Sequence, residues 1–242
     1  MCDSQLVSSS HFHIRSSDRN DYWNTTPADF TINLSKPLKG TRAQIAFCQI
    51  PATYYNITST NNKFNGGSGD ALNISFTVPI GSYNLNDLMS AIQNLLNSIG
   101  PATVVYDNIT GLINISNDVS FSLDFNVDNS IASVLGFSPN KEYIDDTSFT
   151  AWQAPKLFDN AIYISCNFAT HIQTTSNLKN ISFLIPHNVN KGEIIQFYSS
   201  TQFALQPHVK EQTIGSVRFM VFNEKGELLQ GLADWAIMIQ II

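Results

Sequence analysis

The sequence predicts a mainly β fold, a single eight-stranded jelly-roll sandwich with a helix-plus-hairpin insertion. Short runs in which apolar and polar residues alternate recur along the chain, which is the pattern of half-buried strands. Only 13% of the residues are charged, whereas 43% are hydrophobic, and Asn, Ser and Thr supply much of the polar remainder, as turn-rich β proteins require. One stretch, 81–137, has helical periodicity instead.

The strands are predicted in two groups, three before the stretch 81–137 and five after it. Residues 1–28 are polar, with one extended piece at Phe12–Arg15, and are expected to form an N-terminal arm. A hairpin turn is predicted at Asn223–Gly226. The predicted strands lie at 30–34, 44–50, 72–78, 161–166, 181–185, 193–198, 217–222 and 236–242.

An amphipathic helix is predicted at 85–99, where seven apolar residues spaced three or four apart share one face. Asn84 precedes it as a capping residue, and Gly100 and Pro101 stop it. A turn at 107–111 joins two short strands. A second helical turn follows and ends at Gly136, which is expected in the left-handed conformation.

These elements predict one compact body, since 242 residues suffice for one large domain or for one domain with a sizeable insertion. The insertion lies in the connection between the third and fourth strands of the predicted jelly roll. The predicted division is an N-terminal arm at 1–28, a jelly-roll body at 29–78 and 159–242, and an insertion at 79–158 that contains the helix.

The last strand, Ala236–Ile242, is apolar on both faces. It must therefore be covered, either inside the sandwich or against another subunit. The low share of charged residues also favours assembly. We expect a subunit interface at Trp235, Ile237, Ile239 and Ile241.

Charge and composition narrow the function classes. A net charge of −6 and a pI near 5.2 argue against a nucleic-acid-binding surface. No apolar run is long enough to cross a membrane, and the first residues do not resemble a signal peptide, so synthesis in a reducing cytoplasm is expected. Cys2, Cys48 and Cys166 show no metal-ligand spacing, and the last two lie in apolar runs as expected for buried thiols.

Three patterns contain residue types that could form a chemical site, and none is predicted to be catalytic or to bind a metal or cofactor. His11 and His13 share a strand face but have no third ligand with matching spacing. The glycine-rich stretch 65–70 is expected to be a flexible loop tip rather than a nucleophile elbow. Its single carboxylate, Asp70, is too few ligands to predict a calcium site. Asp145 and Asp146 are expected in a solvated turn.

Other residues with chemical potential are scattered. His171, His187 and His208 are far apart in the sequence. Tyr22, Trp23 and Trp152 could stack a sugar, although packing in a core or an interface is the preferred interpretation. The chain is not expected to be an enzyme.

Several segments resemble one family. Arg19-Asn20 and the motif Ala46-Phe-Cys-Gln-Ile-Pro-Ala-Thr-Tyr-Tyr-Asn-Ile57 are similar to the opening of the penton, or minor capsid, proteins of polintons and virophages. Further similar segments are Pro27–Leu34, Gly81–Met89, Phe121–Leu123, Val134–Phe137 and the hairpin Val217–Leu229. The resemblance covers most of the chain and rests on hydrophobic motifs.

The resemblance implies a structural protein of the virion, made in the host cytoplasm. It implies a single jelly roll standing upright at the fivefold vertices of an icosahedral shell, five copies closing a ring, with a double-jelly-roll major capsid protein as the surrounding partner. Two alternatives remain from other classes. One is a lectin-like or receptor-binding module, usually a trimeric spike; the other is a cupin-type enzyme, which needs a histidine-rich metal site.

Overall fold

The computed structural model describes residues 10–170, 181–199, 206–209 and 214–242. Two compact units divide them: a first unit within Met1–Tyr54 and Asp159–Ile242, and a second unit at Tyr55–Phe158. In chain order the strands and helices are β1 Ser10–Arg15, β2 Asp29–Leu38, β3 Ala43–Pro51, β4 Lys63–Ser68, β5 Ile74–Thr77, α1 Leu85–Leu96, β6 Ala102–Asp107, β7 Leu112–Asp124, α2 Ala132–Leu135, β8 Glu142–Thr150, β9 Ala161–Cys166, β10 Phe183–Pro186, β11 Ile194–Tyr198, β12 Ile214–Phe222 and β13 Ala236–Ile241.

The first unit is built from two four-stranded antiparallel sheets. The first sheet has the order β1-β13-β3-β11, and the second has the order β10-β9-β12-β2. Strands that follow one another in the chain mostly lie in different sheets, which is the connectivity of a jelly roll. The predicted fold class is confirmed, and the second unit interrupts the jelly roll between its third and fourth strands, β3 and β9.

The structure differs from the predicted strands in two places. Ser10–Arg15, expected as part of an arm, pairs with β13 along its whole length as the first jelly-roll strand. Ile74–Thr77, counted as the third jelly-roll strand, pairs with Lys63–Gly66 in the second unit. Alternation identifies a strand but carries no information on its partner, so the count of eight was right although β5 was counted in place of β1.

The core of the first unit is centred on three aromatic side chains. Phe30 lies 5.7 Å from both Phe219 and Trp235 between ring centroids, and all three are at most 3% exposed. The Trp235 indole donates its hydrogen bond to the Pro27 carbonyl at 2.7 Å, so its polar atom is satisfied in the interior. This cluster ties β2, β12 and the start of β13 together.

The second unit has a sheet of order β5-β4-β7-β6, with β8 also pairing with β7. Helix α1 buries Leu88, Ile92 and Leu96, which are spaced four apart. Asn84 caps it by accepting from the Asp87 amide at 2.8 Å. The helix ends three residues earlier than predicted because the Ile99 amide bonds to the Leu96 carbonyl, three residues back, at 2.9 Å, which turns the chain out of the α-helix.

Two expectations in the second unit are wrong. The stretch expected as a flexible glycine loop is mostly strand β4, in which a Cβ on Gly66 would lie 2.8 Å from the Ser122 carbonyl oxygen; the glycines permit close backbone approach. No strand is predicted between residues 138 and 159, yet this stretch contains β8, in which only Phe149 is buried. A strand exposed on both faces shows no alternation for sequence reasoning to detect.

Candidate subunit interface

The four residues predicted at a subunit interface lie inside the first unit. Trp235, Ile237, Ile239 and Ile241 are all at most 3% exposed. Strand β13 is flanked by β1 and β3, and the period of two points the isoleucines of its odd positions inward. They can contribute to a contact between subunits only by holding the shape of the sheet, and that role stays a prediction.

The opposite side of the same strand belongs to the outer face of the first sheet. The register aligns one residue from each strand across this face: His13 with Met238, Met238 with Phe47, and Phe47 with Tyr198. The rings of Phe47 and Tyr198 lie 5.0 Å apart between centroids, and Tyr198 is 66% exposed. The row presents apolar and aromatic surface from β13 to β11, with the exposed His13 at the β1 edge.

This outer face lacks charge over most of its width. Strands β3, β11 and β13, whose residues are all described, contain no Asp, Glu, Lys or Arg. Charge enters only at the edge, through Arg15 on β1. Few charges combined with Met and aromatic side chains are the composition of an interface core rather than of solvent-exposed surface.

A shallow cavity of about 220 Å³ lies at one end of this face. Apolar atoms of Pro51, Ile194 and Ala236 line it, and the side chains of Arg15 and Asp234 stand beside them. Ile194 is 51% exposed. The cavity extends the apolar surface of the face toward the start of β13.

A buried ion pair fixes the segment that follows β1. Arg19, with a side chain 5% exposed, donates to Asp234 at 2.6 Å and to the Ser16 carbonyl at 2.7 Å. The Ser16 hydroxyl donates to Asp234 at 2.9 Å and accepts from the Trp235 amide at 2.9 Å. Sequence reasoning quoted Arg19 only within a motif, and nothing local to either residue identifies a partner 215 positions away.

The same segment presents exposed aromatic side chains. The Arg19 guanidinium lies 3.9 Å above the centroid of the Tyr22 ring, and Trp23 packs edge-on against Tyr22 at 5.3 Å. Trp23 is 91% exposed and Trp152, in the second unit, is 67% exposed. Core packing, one of the expected roles of these tryptophans, is therefore wrong.

The other candidates do not assemble into a chemical site. His11, His13 and His208 are exposed, and His171 lies outside the described residues. Among the described residues there is no group of three or more His, Cys, Asp or Glu that could hold a metal ion. Asp145 and Asp146 lie on β8 rather than in a turn, both exposed. Cys48 and Cys166 are buried free thiols, as predicted, and burial raises the pKa of Cys48.

His187 makes a half-buried contact within the first unit. Its Nδ1 lies 2.8 Å from the hydroxyl of Tyr54 and 3.2 Å from the carbonyl oxygen of Asp159. Burial lowers the pKa of His187, against the opposing effect of bonds and charge at Asp159. Burial also raises the pKa of Tyr54. The contact joins the two points where the chain leaves and re-enters the first unit.

No helix in the described part of the chain is both long and apolar enough to span a membrane.

Two four-stranded sheets in the observed order, with a β-rich unit between the third and fourth strands, define a single jelly-roll protein with an insertion.

Two solved structures with a similar fold illustrate the likeness. The crystal structure of selenomethionine-labelled mavirus penton protein matches with a TM-score of 0.56 at 10% identity, covering 96% of this chain and 99% of that one. A chain of the Sputnik virophage, solved by cryo-EM, matches with a TM-score of 0.52 at 12% identity, covering 96% and 97%. The sequence matches no protein-family model and no curated protein. At these identities the likeness shows the fold, and at that level the resemblance to virophage pentons is confirmed.

Proposed function

We propose that this chain is a structural subunit of an icosahedral virus shell and is located in the virion. The observation that carries the proposal is the extent of the match to the mavirus penton protein, 96% of this chain and 99% of that one. Jelly rolls host many functions, so a bare jelly roll would leave the function open. A match of this extent includes the second unit, which a bare jelly roll lacks.

Within this proposal the chain acts as a homopentamer, a penton at the fivefold vertices, bordered by a major capsid protein of double-jelly-roll type. A five-membered ring needs a heterologous contact, in which two different surfaces of the subunit meet. The uncharged outer face of the first sheet supports such a contact. The proposal assigns no catalysis and no cofactor, and it places synthesis in the host cytoplasm, where free thiols such as Cys48 and Cys166 stay reduced.

Light scattering on the purified protein over a range of concentrations tests the proposal. A mass near five times the 26.9 kDa protomer supports the penton. A protein that stays monomeric or forms only trimers at the highest concentration contradicts it.

A second candidate is a lectin-like or receptor-binding module, which forms trimers in spike proteins. The exposed indoles of Trp23 and Trp152 favour it, because flat aromatic surfaces stack on sugar rings. A trimer that binds a glycan on an array, and loses that binding on Trp23→Ala or Trp152→Ala, supports this function. Wild-type pentamers without glycan binding contradict it.

A further inference from the structure

The outer face of the second sheet carries its own apolar row. The register aligns Leu184 with Tyr163, and Tyr163 with Phe222. Leu228 pairs with Phe222 in an isolated bridge and continues the row. Leu184 is 36% exposed and Leu228 is 41% exposed. A monomeric sandwich normally presents polar residues here, because alternation places the apolar ones inside.

This second row is also poor in charge. Strands β9 and β10, all of whose residues are described, contain no Asp, Glu, Lys or Arg. Charged residues lie at its ends: Glu224, Lys225 and Glu227 are in the turn between Phe222 and Leu228. Four residues before Phe222 on β12, Arg218 forms an ion pair with Asp29 at 2.8 Å. In both rows the side chains themselves are uncharged, and the charges lie at the borders.

The two rows lie on opposite sides of one sandwich, since the outer faces of its two sheets point away from each other. In an isologous contact the same face of two protomers meets. Such a contact would cover one row and leave the other in water. A head-to-tail contact between copies covers both rows at once. A second copy of this chain is thus a single partner that covers both surfaces.

We propose that the outer face of the first sheet of one protomer packs against the outer face of the second sheet of the next. The contact rests on the proposed function and names the surfaces that close its ring. The row of Met238, Phe47 and Tyr198 meets the row of Leu184, Tyr163 and Phe222 with Leu228 beside it. Both sides of the contact supply aromatic side chains, which carry much of the binding energy in protein interfaces.

The area available sets the strength of each contact. Four strands about 4.8 Å apart and about six residues long cover about 400 Å², roughly half of the 800 Å² per partner in a standard interface. Residues bordering the faces must supply the rest. One such contact alone is weak, so the assembled state depends on the contacts being closed into a ring.

Charge substitutions test the two faces separately. Tyr198→Lys changes the first face and Leu184→Lys changes the second; both side chains are already exposed, so the circular dichroism spectrum should match that of the wild type. Each variant should fall from the oligomeric mass to that of a single protomer in light scattering. Ile109→Lys is the matched control, because Ile109 is 96% exposed at a hairpin tip of the second unit and lies on neither face. It should stay assembled.

Cross-linking then distinguishes the two modes of contact. The double variant Tyr198→Cys with Leu184→Cys, in a Cys2→Ser background, should react with a flexible bis-maleimide to give a ladder of up to five copies. Either single cysteine should give no cross-linked copies. Dimers formed by Tyr198→Cys alone would show an isologous contact and overturn the proposal.

The outcomes separate this proposal from the proposed function. An assembled wild type whose Lys variants stay assembled, or whose double cysteine variant does not cross-link, overturns the choice of faces and leaves the shell subunit standing. A wild type that is monomeric at every concentration overturns the pentamer and, with it, this contact.

Discussion

Nη1 of Arg19 lies 2.6 Å from Oδ1 of Asp234, and this ion pair joins residues 215 positions apart in the sequence. The Arg19 side chain is 5% exposed and that of Asp234 is 35% exposed. Because Asp234 immediately precedes Trp235 and β13, the pair holds the turn after β1 against the start of the last strand. It stabilises the edge of the first sheet from one end.

Asp234→Ala should lower the free energy of unfolding by about 2–4 kcal/mol, because it leaves the buried Arg19 guanidinium without its counter-charge. Urea unfolding followed by tryptophan fluorescence measures this. Asp18→Ala is the control, since it breaks the Arg15–Asp18 pair, whose side chains are 60% and 47% exposed. That change should cost less than about 1 kcal/mol. Equal losses in the two variants would contradict a stabilising role for the buried pair.

Ile239 and Met238 are neighbours on β13 that point to opposite sides of the sheet. Ile239 is 0% exposed, so Ile239→Ala should lower the free energy of unfolding by about 2–5 kcal/mol through lost packing and a cavity. Met238→Ala, on the half-buried outer face, should lower it by less than about 1 kcal/mol when measured on monomeric protein. Chemical denaturation at low protein concentration checks both. A larger loss for Met238 would reverse the assigned orientation of the strand.

Local features of the second unit were predictable from sequence. Asn84, Leu88 and Ile92 lie within three turns of one helix, so capping and spacing specify it without knowledge of the rest of the chain. Gly136 ends α2 with φ of 84° as predicted, because the need for a left-handed residue after a helix is also local.

Features that depend on distant partners were not predictable. Gly66 lies in a strand because the backbone of β7 passes close to it, and its neighbours in the sequence suggest only a loop. Arg19 and Asp234 likewise meet only in the folded chain. The inward orientation of Ile237 and Ile239 follows from their alternation, but a strand apolar on both faces leaves open which face is covered by the same chain.

Gly136→Ala should lower the free energy of unfolding by about 3 kcal/mol or more, because two costs add. A non-glycine residue in the left-handed region costs about 1–2 kcal/mol, and a Cβ here would lie 2.0 Å from the carbonyl oxygen of Gln153, which forces the backbone apart. Gly192→Ala is the control, with φ of +83° and nothing within 4 Å of the added Cβ. It should show the first cost alone. Similar losses at both glycines would mean that the contact with Gln153 relaxes without cost.

The contact of His187 with Tyr54 should make the stability of the first unit depend on pH. Burial lowers the pKa of His187 from its ordinary value of 6.5, so in mildly acidic solution the unfolded chain binds a proton that the folded chain does not. The contribution of neutral His187 to the free energy of unfolding is therefore complete above about pH 6.5. It is lost as the pH falls from there to the lowered pKa of His187 in the folded state. Urea unfolding at pH 7.5 and 5.5 measures the loss. His187→Asn keeps a polar group near the Tyr54 hydroxyl but does not titrate, so it should lose less stability over this interval than the wild type. Identical losses in the two proteins would show that His187 is protonated as readily in the folded chain as in the unfolded one.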